Sequence, residues 1–211
     1  MSRLLTIRNR QRVRRVDPKA LRRLTRHLLS VQLGAPSFDL CLHLVDAREM
    51  ARVNHQFLQH PGSTDVITFD HSDPPDPAQC APKPHARGWL TGHTRAQDLQ
   101  GELFLSLDDA VAQARVFRTT WQAELARYIV HGFLHLTGHD DRAPSDRRRM
   151  KRVENRLVVA LAREFPLAAL ERTAVPCRPS RRPRGPRPAP SKPSGPARNP
   201  PKSPSGRKPR A

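Results

Sequence analysis

The stretch from His131 to Asp141, HGFLHLTGHDD, restricts the fold of this chain more than any other segment. His131 and His135 are four residues apart, which on a helix puts both imidazoles on one face a single turn apart. Gly138 then supplies a residue able to take φ > 0, so the helix can end there and the chain can turn back. Beyond the turn, His139, Asp140 and Asp141 return three further ligand-type side chains toward the pair. Two histidines on a rigid helix and a third ligand after a glycine turn form a three-ligand zinc site with its fourth position open, as in a metal-dependent hydrolase. Asp141 is the third ligand by its offset, and His139 is the alternative because imidazole is the commoner ligand. Asp140 is placed to orient an imidazole N–H from outside the coordination sphere.

A His-x-x-x-His pair by itself would more simply be two hydrogen-bonded helix residues. The glycine and the three ligand-type residues at matching offsets favour a metal. The same spacing occurs in zinc peptidases of the H-E-x-x-H-x-x-G-x-x-H type. Here Gly132 occupies the place of their glutamate, the base that takes a proton from water, so a metallopeptidase is the weaker reading.

Upstream, Asp17-Pro18 joins an N-cap acceptor to a proline at the first helical position, and Leu21, Leu24 and Leu28 follow at helical spacing before Gly34. Phe38, Leu40, Leu42 and Leu44 alternate with Asp39, Cys41 and His43, which predicts a strand over 38–45 with one buried face. His43 falls on the polar face, where a lone histidine is seldom a ligand. Asp46 and Glu49 resemble a capping box, with Met50, Val53 and Phe57 on the buried side of a second helix. Thr64 to Phe69 and Gly101 to Ser106 read as two more strands. Ser106 caps a helix with Ala110, Val111 and Ala114 inward, and Thr119 or Thr120 caps the next, which runs through Trp121, Leu125 and Tyr128 to His131. Ser145 begins a last helix with Met150, Val153, Leu157 and Leu161 as its apolar stripe.

The net charge of +19 is concentrated at the two ends. Arg3 to Arg15 hold six arginines before the first acid, Asp17, and residues 174–211 hold eleven Lys or Arg and no Asp or Glu. The expected organisation is therefore a basic N-terminal arm over 1–16 and a folded domain over 17–173, with a polar loop insertion over 70–100. A disordered Pro/Arg/Lys-rich tail follows over 174–211. Such an excess of positive charge points to a polyanion, foremost nucleic acid. No run approaches the ~20 apolar residues of a membrane span. No apolar leader segment follows Met1, and Cys41, Cys80 and Cys177 lack any C-x-x-C spacing. A reducing, cytoplasmic setting with no membrane partner is expected.

His131, Gly132, Leu134, His135, Leu136, Gly138 and Asp140 match the signature H-G-x-L-H-L-x-G-Y-D-H, and so the chain resembles the YbeY family of metallo-endoribonucleases, also called rRNA maturation factors. Val53-Asn54 with Phe57 is similar to the family's L-N-x-x-Y, and Thr64 to Phe69 to its T-D-V-L-S-F. Gly101-Glu102-Leu103 is similar to G-D-I, and Met150 with Glu154 to M-x-x-x-E, all in the family's order over roughly Asp17 to Ala162. Three positions depart from it. Asp141 replaces the third zinc histidine, His139 the signature tyrosine, and Leu58 an arginine thought to assist at the phosphate.

The resemblance implies an α+β fold, a small mixed sheet packed with helices, with one zinc ion at the end of a central helix on His131, His135 and Asp141. It implies a single-strand-specific endoribonuclease, a hydrolase of RNA phosphodiester bonds, acting in small-subunit rRNA 3′-end maturation and ribosome quality control. Its partner would be RNA, as rRNA or a ribosomal subunit, and His131 would serve catalysis through zinc ligation. The attacking group is either a water or the RNA's own 2′-OH, while the basic termini hold the backbone through salt-sensitive contacts. A non-catalytic zinc-containing RNA- or ribosome-binding protein is the alternative, suggested by Leu58 and Asp141.

Overall fold

A computed structural model of the chain describes residues 2–72 and 98–172. Their alternating apolar residues build four strands: β1 (Arg3–Asn9), β2 (Phe38–Val45), β3 (Val66–Asp70) and β4 (Leu99–Ser106), in the order β1-β2-β4-β3. β1, β2 and β4 are parallel and β3 is antiparallel to β4, so the sheet is mixed, as expected. Leu40, Leu42 and Leu44 of β2 and Leu103 and Leu105 of β4 share one face and enter the main core. Val45, Ile67 and Phe104 take the other face, in a smaller cluster with Met50 and Val53.

The helices are α1 (Pro18–His27), which continues into a π-helical turn (Leu28–Gln32), α2 (Ala47–Leu58), α3 (Leu107–Phe117), α4 (Trp121–Leu136) and α5 (Pro144–Glu164). Four of them start on a side-chain cap that the sequence names. Asp17 accepts from the Lys19 and Ala20 N–H groups at 2.8 and 2.9 Å, and Asp46 from Glu49 at 2.8 Å. Ser106 accepts from Asp109 at 3.3 Å, and Thr120, rather than Thr119, from Ala123 at 3.2 Å. The caps of α2, α3 and α4 each contribute roughly 1 kcal/mol. The Asp46–Glu49 box is half closed, because the Glu49 carboxylate pairs with Arg10 at 2.8 Å instead. α5 begins one residue before Ser145, with Pro144 in its first turn and no side-chain cap.

Leu125, Ile129 and Phe133 of α4 are fully buried, and so are Ala126, Val130 and Leu134 on its other sides. A helix that is apolar all round belongs inside, and α4 packs against β3, β4, α3 and α5. Gly132 sets how closely it lies on the sheet. A Cβ there would come within 2.5 Å of Leu103 Cδ2 and 3.1 Å of Thr68 Oγ1. This close approach fixes the height of His131 and His135 above β3 and β4.

The arm expected over 1–16 is instead part of the fold, in a unit that spans Met1–Thr173. An edge strand with one partner needs little apolar surface, and β1 supplies it with Leu5, only 2% exposed. Its arginines face solvent, where charge discourages further strand pairing. Arg22 of α1 donates to the Leu5 carbonyl, and the Arg10 N–H donates to Leu44 at 2.9 Å. Asp70 belongs to β3, and Leu99 and Gln100 to β4, so the insertion expected over 70–100 is shorter at both ends. Residues 73–97, the tail over 174–211, and Cys80 and Cys177 lie outside the described residues. His43 is nearly buried, stacked on Phe104 at 4.3 Å with its Nε2 2.9 Å from Glu102.

Candidate metal centre

The Thr137 hydroxyl closes α4 by donating to the carbonyls of Phe133 and Leu134 at 3.0 and 2.9 Å. Gly138, at φ +85°, reverses the chain in a conformation that side chains with a Cβ resist. The His139 N–H then donates to Leu134 at 2.9 Å and draws the following residues back against the helix. The Nε2 atoms of His131 and His135 come to lie 3.1 Å apart. Asp141 Oδ2 is 3.8 Å from the Nε2 of His131. One ligand atom from each of these three residues lies within 4.8 Å of the other two, and all three residues are half-buried. Among the described residues it is Asp141, not His139, that completes this group.

The other imidazole nitrogens are engaged. His135 Nδ1 lies 3.1 Å from the His139 carbonyl, which can only accept, so the proton is on Nδ1. His131 Nδ1 lies 3.0 Å from Glu154 Oε2, and the ionised carboxylate selects the same tautomer. Both Nε2 lone pairs therefore face one another, an arrangement that a cation between them relieves. Two imidazole nitrogens and a carboxylate oxygen with outer hydrogen bonds fit zinc with an open fourth position. Burial, and then the charge of His131, lowers the pKa of His135 and favours the neutral, ligating form.

Glu154 is 3% exposed. Its burial opposes ionisation, but hydrogen bonds from His131, Lys151 and Arg127 outweigh it and hold the carboxyl at about 2. Lys151 Nζ is 2.7 Å away, and Arg127 binds the same oxygen. Asp140 does not take the orienting role that its position in the sequence suggests. It accepts from the Asp141 and Arg142 N–H groups at 2.8 and 3.1 Å. The Arg142 side chain is the main cause that holds its carboxyl at about 2. Asp140 shapes the turn, and the imidazole of His131 is oriented by Glu154. In the sequence only the match of Met150 and Glu154 to M-x-x-x-E marks this residue, without its role. In the structure the buried positions of α5 are Met150, Glu154, Val158 and Leu161, a stripe rotated from the one expected. A carboxylate on such a stripe requires partners.

A cleft of about 430 Å³ adjoins the group, and Asp65, Tyr128, Arg147 and Lys151 line it besides His131 and Asp141. Leu58 is half-exposed at the end of α2 and is not among the lining residues. The place of the peptidase glutamate is filled by the Gly132 backbone packed on Leu103, which leaves no room for a base.

A family model described as Endoribonuclease YbeY matches residues 6–162. Curated relatives named Endoribonuclease YbeY include one from Salinibacter ruber, 31% identical over 70% of this chain and 85% of its own length. Another, from Parabacteroides distasonis, is 33% identical over 62% of this chain and 77% of its own. A third, from Myxococcus xanthus, is 35% identical over 61% of this chain, and the match spans only 38% of that relative's length. A solution structure from Thermotoga maritima superimposes with a TM-score of 0.50 at 19% identity, over 83% of this chain and 99% of that one, a likeness of fold. The family is one of hydrolases that act on RNA, and its model covers β2, β3, β4, the second half of β1, α4 and nearly all of α5. The chain belongs to the endoribonuclease YbeY family.

Proposed function

We propose that this chain is a zinc-dependent endoribonuclease that cuts single-stranded RNA, with small-subunit rRNA 3′-end maturation and ribosome quality control as its setting. The observation that carries the reading is the convergence of His131 Nε2, His135 Nε2 and Asp141 Oδ2 while both Nδ1 atoms are held elsewhere. Bound there, a zinc ion supplies Lewis acidity to a phosphoryl oxygen or to the attacking hydroxyl group. His131 serves the reaction as a ligand. Glu154 holds the His131 ring in the ligating tautomer, and Arg127 and Lys151 keep Glu154 ionised. The attacking group is a water or the RNA's own 2′-OH. Arginines of β1 and the basic residues beyond 173 favour an anionic partner by charge. No described helix is long and apolar enough to cross a membrane.

The full chain, stripped of metal with a chelator, should lose cleavage of a single-stranded RNA and regain it with one equivalent of zinc. A duplex of the same sequence should resist. Full activity in the stripped protein would exclude zinc from the reaction, and zinc uptake without any cleavage would favour the RNA-binding alternative.

A further inference from the structure

We propose that Arg147, with Lys151 and the Tyr128 hydroxyl, forms a phosphodiester-binding subsite in the cleft beside the metal ligands. The identity of its ligand rests on the ribonuclease reading above. Arg147 and Lys151 are four residues apart on α5, on one face, and both line the cleft with His131 and Asp141.

Arg147 Nε donates to the backbone carbonyl of Asp141 at 2.9 Å. The residue that contributes a carboxylate to the metal group thereby also fixes the plane of this guanidinium. Arg147 has no carboxylate partner among the described residues, and its Nη groups have no protein hydrogen bond there. A fixed fork with two free donors matches a pair of phosphate oxygens. Lys151 shares Glu154 with Arg127, which also lies 4.0 Å from Glu124, so Lys151 is not the sole partner of that carboxylate.

Tyr128 gives an independent indication. It is 4% exposed and lines the cleft, yet its hydroxyl has no hydrogen-bond partner among the described residues. A buried hydroxyl left unpaired is costly, and a ligand oxygen in the cleft would pair it. The overall charge agrees. The lining carboxylates Asp65, Asp141 and Glu154 are balanced by Arg127, Arg147 and Lys151, so a divalent ion at the ligands would make the cleft positive. Leu58 offers it no cation.

The test is binding of a short single-stranded oligoribonucleotide to the metal-stripped full chain, as a function of salt. Arg147→Gln should weaken binding roughly tenfold and reduce the slope of log K against log salt by about 0.7, the value of one phosphate contact. Lys151→Gln should act in the same direction, and Arg147→Lys should restore the slope. Arg152→Gln removes the same charge from the same helix away from the cleft lining, and should stay within about twofold of wild type. Wild-type affinity and slope in Arg147→Gln would overturn the subsite, as would an equal loss in Arg152→Gln. Melting temperatures of the variants, expected to stay at the wild-type value, check that the fold is intact. Cleavage with zinc is scored separately: binding through Arg147 without cleavage would overturn the ribonuclease reading and leave the subsite standing.

Discussion

His135→Ala is expected to abolish tight zinc binding and to lower RNA cleavage by more than about 100-fold, the upper end for loss of a mere supporting residue. The reason is geometric. His135 Nε2 lies 3.1 Å from that of His131, and removing it leaves one imidazole and one carboxylate, too few to hold zinc in a catalytic site. Asp141→Ala should fall as far. His139→Ala should stay within a few-fold, because what His139 gives to His135 is a backbone carbonyl, which the substitution keeps. Zinc affinity by chelator competition, measured beside cleavage, separates these outcomes. A His139→Ala loss equal to that of Asp141→Ala would make His139 the third ligand.

Glu154→Gln should weaken zinc binding roughly 10- to 100-fold, because the glutamine no longer selects the His131 tautomer by charge. The same change should destabilise the metal-free protein by about 1–3 kcal/mol, as Arg127 and Lys151 lose a buried carboxylate. The sign of the pH dependence follows from the lowered pKa. Glu154 contributes stability above the ordinary glutamate value of 4.5, and that contribution is lost as pH falls toward about 2. The gap in melting temperature between wild type and Glu154→Gln should therefore narrow over that window in metal-free protein. A constant gap would mean that the carboxylate's charge is not what stabilises the fold.

These two predictions differ in how far the sequence alone supports them. The convergence of His131, His135 and Asp141 was legible because helical spacing, a glycine turn and ligand-type residues are local, and a helix end needs no tertiary information. The strand over 38–45 was legible for the same reason, since its leucines alternate without interruption and match the observed Phe38–Val45. β1 was not, because an edge strand buries a single leucine and its arginines look like a solvated arm. The role of Glu154 was hidden as well. It depends on α5 packing along α4, which no local pattern specifies. Arg147 and Lys151 acquire a role only when the cleft places them beside His131.

X-ray absorption at the zinc edge of the loaded full chain addresses the coordination directly. Two imidazole nitrogens at about 2.0–2.1 Å and one carboxylate oxygen at about 2.0–2.2 Å are expected, with one further light-atom ligand and no sulfur. A sulfur shell near 2.3 Å, or a spectrum unchanged by His135→Ala, would contradict it.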